Sequence, residues 1–420
     1  MYPPLSPLRR RLAGAAAAGS ASFLLLVLGV APGCSDDRSG SSGTPTTSDA
    51  SDGASASDGT ADATSDGSLD GNRVDDGGTI LPTPPSVHYL GRFDESDPAG
   101  PRMGWPGGRV VGRFDGTQVS AKITQTAGSV ASPTYVNVIV DGTVKTPLAV
   151  DDGTQAISLA TGLPAGTHTI EIEKRTDGRL GFLRFEGFAF GGGKGLLAPS
   201  ARLKRRIEVL GDDLVSGFGV DGDATKCAGG APPQYDDVRK SVGAVAARAL
   251  DAEINIVAHP GKGLLRNQDG STTETFPAVL QRSLPETSSS SWSFSSYVPD
   301  VVVIVLGAAD WDGTQFPANL QATYNQLITD THARYLPTTK VLLVVWSQHH
   351  STSGMRAALT AIVDAVVAGR PNADKPHNST LLFPEAAAGD ETGCQGHANA
   401  AHHAAMAGLL VAEIRTKLGW

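Results

Sequence analysis

The sequence predicts an α/β protein, with an N-terminal β-sandwich followed by a three-layer α/β/α domain on a parallel sheet. From residue 86 to 193 short β-type runs recur between glycines without a helical period. From residue 202 onward apolar strands alternate with helical stretches, as βαβ units require. Residues 35–85 are almost all Ser, Gly, Asp, Thr and Ala, so they cannot bury enough apolar surface to offset their ordering entropy.

The 420 residues exceed one typical domain. At the start, Arg9, Arg10 and Arg11 precede an apolar run over 12–31 and small residues ending at Gly33 and Cys34, the layout of an export signal. The run is interrupted by Gly14, Gly19, Ser20 and Ser22, which disfavours a transmembrane anchor. The ending APGC resembles a bacterial lipoprotein box with Ala31 where Leu is usual, and implies lipidation of Cys34 rather than plain secretion. Residues 1–34 are thus expected to be a lipoprotein signal peptide and 35–85 a disordered tether, reaching on the order of 40 Å. The net charge of −9 sits mostly in that tether, where ten Asp face Arg38 and Arg73. The remainder is near neutral, and nothing argues for nucleic acid as a partner.

In the expected sandwich, 86–195, Val136, Val138 and Val140 alternate with Tyr135, Asn137 and Ile139, and Asp141-Gly142 signals a hairpin. THTIEIEK alternates Ile170 and Ile172 with Glu171 and Glu173. In the second domain, 202–420, strands are expected over 206–210, 254–258, 301–306, 340–346 and 379–383. Helices are expected over 237–250, 320–335, 355–367 and 400–418. Ligands of such sheets sit beyond the C-terminal strand ends. There lie IEVLGDDLVSGFG (207–219), HPGKG (259–263), LGAAD (306–310) and GCQGHAN (393–399).

These four stretches resemble the four blocks of the SGNH (GDSL-type) hydrolases. YLGRFD, GPRMGWPGG, RFDGT, VDGT, GTHTIEIEKRTDG and GFLRFEGFAF, in that order between residues 89 and 190, resemble the jelly-roll domain of carbohydrate esterase family two. The resemblance spans 86–420 and implies a jelly roll followed by an SGNH domain that acts on acetylated polysaccharide without cofactor or metal. Ester cleavage in that family needs a serine nucleophile, a glycine and an asparagine for the oxyanion, and an acid and a histidine two residues apart. Here the serine position holds Asp213, the glycine position Gly261 and the asparagine position Ala309. The acid position holds Gln395, and of the catalytic pair His397 alone remains.

Attack by Asp213 on an ester would form an anhydride at the expense of an alkoxide. A carboxylate about 4 Å from the developing oxyanion opposes it by roughly 4 kcal/mol at an effective dielectric near 20. Ser216 reads as a turn residue, and Asp212 as an acceptor of backbone hydrogen bonds. Asp213 opposite His397 reads as an ion pair filling the vacated site. A metal on Asp213, His397, His402 and His403 is not expected, because the spacing is not of HExxH type and scatters the ligands over helix faces. Trp311 and Trp292 are candidates to stack sugar rings, against the plainer reading of packing under loops. For Trp105 the plainer reading of a sandwich tryptophan is preferred.

The expectation is therefore an exported, membrane-anchored lipoprotein of the periplasm or cell surface, an impaired esterase that retains a carbohydrate-binding cleft. An active polysaccharide deacetylase and a structural, adhesive envelope protein are the alternatives. With Cys34 reserved for lipid, Cys227 and Cys394 are an even pair in an oxidising compartment and are expected to form a disulfide at the cleft rim, the alternative being two buried thiols.

Overall fold

A computed structural model of the chain describes residues 86–346, 354–387 and 389–420. The signal peptide, Cys34 and the tether lie outside the described residues.

Alternating apolar residues build a sandwich of two antiparallel sheets. One runs in the order Val87–Leu90, Arg109–Asp115, Thr167–Lys174, Thr134–Val140, Thr143–Val144, with Gly195–Leu196 and Leu148–Val150 pairing at its sides. The other runs Phe93–Asp94, Arg102–Met103, Phe182–Gly191, Gln118–Thr126, Gly153–Ala160. Val110, Phe114, Val138, Ile170 and Ile172 of the first sheet share a core with Val119, Ile123, Leu183 and Phe185 of the second. Asp141 and Gly142 both take positive φ, as the tight hairpin between Val140 and Thr143 requires. A register shift between Phe185 and Gly187 brings Phe185 and Phe188 edge to face at 4.7 Å.

The expected alternation fails at Asn137, Ile139 and Glu173, all buried. The polar faces of these strands are covered by the loop that follows the first block. Arg175 bonds Asn137 and Asp237 at 3.0 Å each and Asp221 at 2.6 Å. Asn137 in turn donates to Glu173 and Asp237. Paired in this way, buried charge is tolerated.

The second domain is a five-stranded parallel sheet in the order Ala252–Ala258, Arg205–Gly211, Val301–Val305, Lys340–Val345, Asn378–Leu382. Its strands are apolar on both sides. Ile207, Val209, Val303 and Val344 face the helices Val242–Ala249 and Ala400–Leu418, while Leu210, Val302, Ile304 and Leu343 face Leu320–Arg334 and Met355–Gly369. This is the three-layer α/β/α architecture. The helix expected over 237–250 is shorter. Asp237 caps a 3-10 turn, Val238–Lys240, and Ser241 then accepts the Ala244 N–H to start Val242–Ala249.

Sandwich and sheet are locked together by buried side chains. Trp105 is 1% exposed, belongs to the core of the parallel-sheet domain and donates its indole N–H to the Arg282 carbonyl. Arg92, fully buried, bonds Glu208 at 3.0 Å; Glu208 also accepts from Tyr335 and Asn255. The first topological switch of the sheet falls at the end of Arg205–Gly211, which carries the first block.

Candidate active site

The strand Arg205–Gly211 ends in a turn that has no room for a side chain at Gly211, where a Cβ would overlap Val215. One short helix, Asp213–Ser216, follows and stops at Gly217, whose φ of 71° and close approach to the Asp237 carbonyl admit only glycine. Ser216 donates its hydroxyl to the Asp213 carbonyl at 2.9 Å, a turn role. Asp212 accepts the Leu214 N–H. Burial, and then the neighbouring charge of Asp213, push its pKa well above the carboxylate range. Asp212 thus organises the turn, and Asp213, 9% exposed, presents its carboxylate to the site.

His397 comes from the loop that precedes the last helix, Ala400–Leu418. Cys394 N–H bonds the Gly219 carbonyl, and Cys394 is joined by a disulfide to Cys227, tying the histidine loop to the first block. Gly219 is required there, since its Cβ would collide with Cys394. Gln395 is exposed, with a left-handed φ of 55°, and leaves the imidazole alone. The Cys394 carbonyl stands in for an acid, 2.8 Å from His397 Nδ1. A backbone group, rather than the side chain at the acid position, holds the imidazole. Nε2 lies 3.5 Å from Asp213 Oδ2, and Phe218 meets the ring edge to face at 4.7 Å.

Arg179, which sequence reasoning missed, reaches this wall from the sandwich. Its guanidinium stands 5.3 Å from the Phe218 ring centre and is fixed by the buried Asp177, which accepts from Arg179 N, Nε and Nη2 at 2.8–2.9 Å. Burial opposes the charge of Arg179, but Asp177 and then Asp213 raise its pKa. The TDGR run at 176–179 was the available signal, a short turn with adjacent opposite charges.

The two positions expected to serve an oxyanion, Gly261 and Ala309, lie in separate turns. Gly261 takes a φ of 75° in a loop held by Asp310, which accepts the N–H groups of Leu264, Leu265 and Arg266 at 2.7–2.9 Å. Asp310 was also missed, although it closes the third block. Ala309 lies buried in the turn Ala308–Asp310 and brings only a methyl group. His402 and His403 are buried in the last helix, and burial, reinforced by the charges of His402 and His397, lowers the pKa of His403 to about 3.

Trp311 is partly exposed at the rim beside the third block, its ring 4.8 Å from Phe316. Trp292, half-buried, follows the plainer reading of packing under a loop. Its ring packs 5.2 Å from the guanidinium of the buried Arg92, beside Trp105 and Phe294, because that desolvated cation needs aromatic faces around it.

A three-layer parallel sheet whose strand ends bring the four blocks together defines an SGNH-type hydrolase fold. A family model for the N-terminal domain of carbohydrate esterase 2 matches residues 89–199. The structure of a family two carbohydrate esterase from Clostridium thermocellum in complex with cellohexaose is similar over 80% of this chain and all of that one, with 33% identity and a TM-score of 0.72. The chain belongs to carbohydrate esterase family two. Cellulase/esterase CelE of Acetivibrio thermocellus is 33% identical over 80% of this chain, which spans 40% of the length of CelE. An acetylxylan esterase / glucomannan deacetylase of Cellvibrio japonicus is 25% identical over 81% of this chain and 92% of that protein.

Proposed function

We propose that this protein is a catalytically impaired family two carbohydrate esterase that binds polysaccharide in the cleft between Asp213, His397 and Trp311. The observation that carries the reading is the carboxylate of Asp213 at the nucleophile position, 3.5 Å from His397 Nε2. A carboxylate there opposes the oxyanion of ester attack, and Ala309 supplies no donor to offset it. The cellohexaose complex of the Clostridium thermocellum relative supports glycan as the ligand class. The resemblance of APGC to a lipoprotein box supports export and a lipid anchor at Cys34, with 35–85 as tether, 86–195 as the jelly roll and 202–420 as the SGNH domain. Among the described residues no helix is long and apolar enough to cross a membrane.

One feature favours a second reading, an active deacetylase: the Cys394 carbonyl orients His397 as a base would need. Acetate release from acetylated xylan and from an aryl acetate separates the two. The purified protein is expected to release acetate no faster than its His397→Ala variant. Enzyme-like turnover that disappears in His397→Ala or Asp213→Ala would establish the deacetylase instead.

A further inference from the structure

Between Asp213 and His397 the site is short of a hydrogen-bond donor. His397 Nδ1 lies 2.8 Å from the Cys394 carbonyl oxygen, and a carbonyl has no proton to give, so Nδ1 carries one. In the neutral imidazole Nε2 is then a bare acceptor. It is buried, makes no hydrogen bond among the described residues, and stands 3.5 Å from Asp213 Oδ2, a second acceptor. Protonating the imidazole makes Nε2 a donor, yet the Asp213 oxygens retain lone pairs to satisfy. A hydroxyl fits either state: its hydrogen goes to Asp213, and its oxygen accepts from Nε2–H when the ring is charged. An acetyl ester has no hydrogen to give: its carbonyl could accept from Nε2–H of the charged ring, but in either state it leaves the Asp213 carboxylate facing an acceptor.

We propose that Asp213 makes this cleft a reader of unesterified sugar hydroxyls, so that the protein binds the deacetylated form of a polysaccharide in preference to the acetylated form. The proposal rests on the glycan-binding reading and adds its direction of choice. The substitution that removes the nucleophile thereby creates selectivity: a group that would be attacked as an ester in an active relative is recognised here as a free alcohol.

The test is titration calorimetry of the full-length protein with glucomannan oligosaccharides, acetylated and after mild alkaline deacetylation. The deacetylated form is expected to bind about tenfold or more tightly, because an acetylated ligand leaves buried acceptors unpaired. In Asp213→Asn, which keeps the shape and offers the acetyl carbonyl an N–H, and in Asp213→Ser, the preference should fall to within about twofold or reverse. Thermal melts establish that each variant is folded, and the unaltered protein's own ratio decides first. Equal binding of the two forms by the unaltered protein, or a preference that survives in a folded variant, overturns the proposal and leaves glycan binding standing. If neither form binds, the glycan-binding reading fails and this inference fails with it.

Discussion

At the scale of the residue, the proposed impairment rests on Asp213 and Ala309, which would act on different parts of the reaction. In that proposal Asp213 stands where the attacking hydroxyl would be, and Ala309 where a donor to the developing charge would be. Gln395 is a lesser matter than its position suggested, because it is exposed and the Cys394 carbonyl already holds the imidazole. Asp213→Ser alone is therefore expected to restore little aryl-acetate hydrolysis. Adding Ala309→Asn should raise the rate by about 10²–10³. Adding Gln395→Asp on top should change it little. A single Asp213→Ser variant as fast as the double one would refute the separation of roles.

At the scale of the element, the histidine loop depends on tertiary ties more than on its own conformation. Gln395 and Gly396 both take positive φ, and among the described residues of 383–393 there is no helix or strand. Its anchors are the Cys394 N–H to the Gly219 carbonyl and the disulfide to Cys227, which closes a loop with a sequence separation of 167. In the chain-entropy model such a link is worth about 5 kcal/mol. Replacing both cysteines by serine is expected to lower the urea midpoint accordingly and to loosen glycan binding, since the loop whose backbone carbonyl orients His397 loses its covalent tie to the loop after the first block. Peptide mapping of the denatured, unreduced protein checks the premise: free thiols at Cys227 and Cys394 would contradict it.

At the scale of the whole molecule, sandwich and parallel sheet fall within one compact unit. Arg92 of the sandwich and Glu208 of the sheet are both buried, so removing either leaves an unpaired charge out of water. Glu208→Ala is expected to cost about 3–5 kcal/mol and to destabilise both regions together. Calorimetry should record one transition for this region before and after the change. Two separate transitions would mean that the interface does not couple them. Arg179 gives that coupling a functional side, since it extends from the sandwich to the Phe218–His397 wall.

The sequence by itself determined the architecture and which residues stand at the four block positions. Period-two runs and βαβ alternation reveal layers because the burial of each face is a local pattern, and the Asp-Gly hairpin at 141–142 follows from local backbone preference. The loss of serine and asparagine is a matter of which residue stands at a position, and so was legible at Asp213 and Ala309. Only the tertiary structure decided what supports the remaining histidine, because a backbone carbonyl is present at every residue and its letter does not say where it points. The same holds for Trp292, placed by a buried arginine 200 residues away in the chain, and for Asn137 and Glu173, whose burial depends on a loop arriving from the second domain. Long-range contacts of this kind pair groups that no local period records.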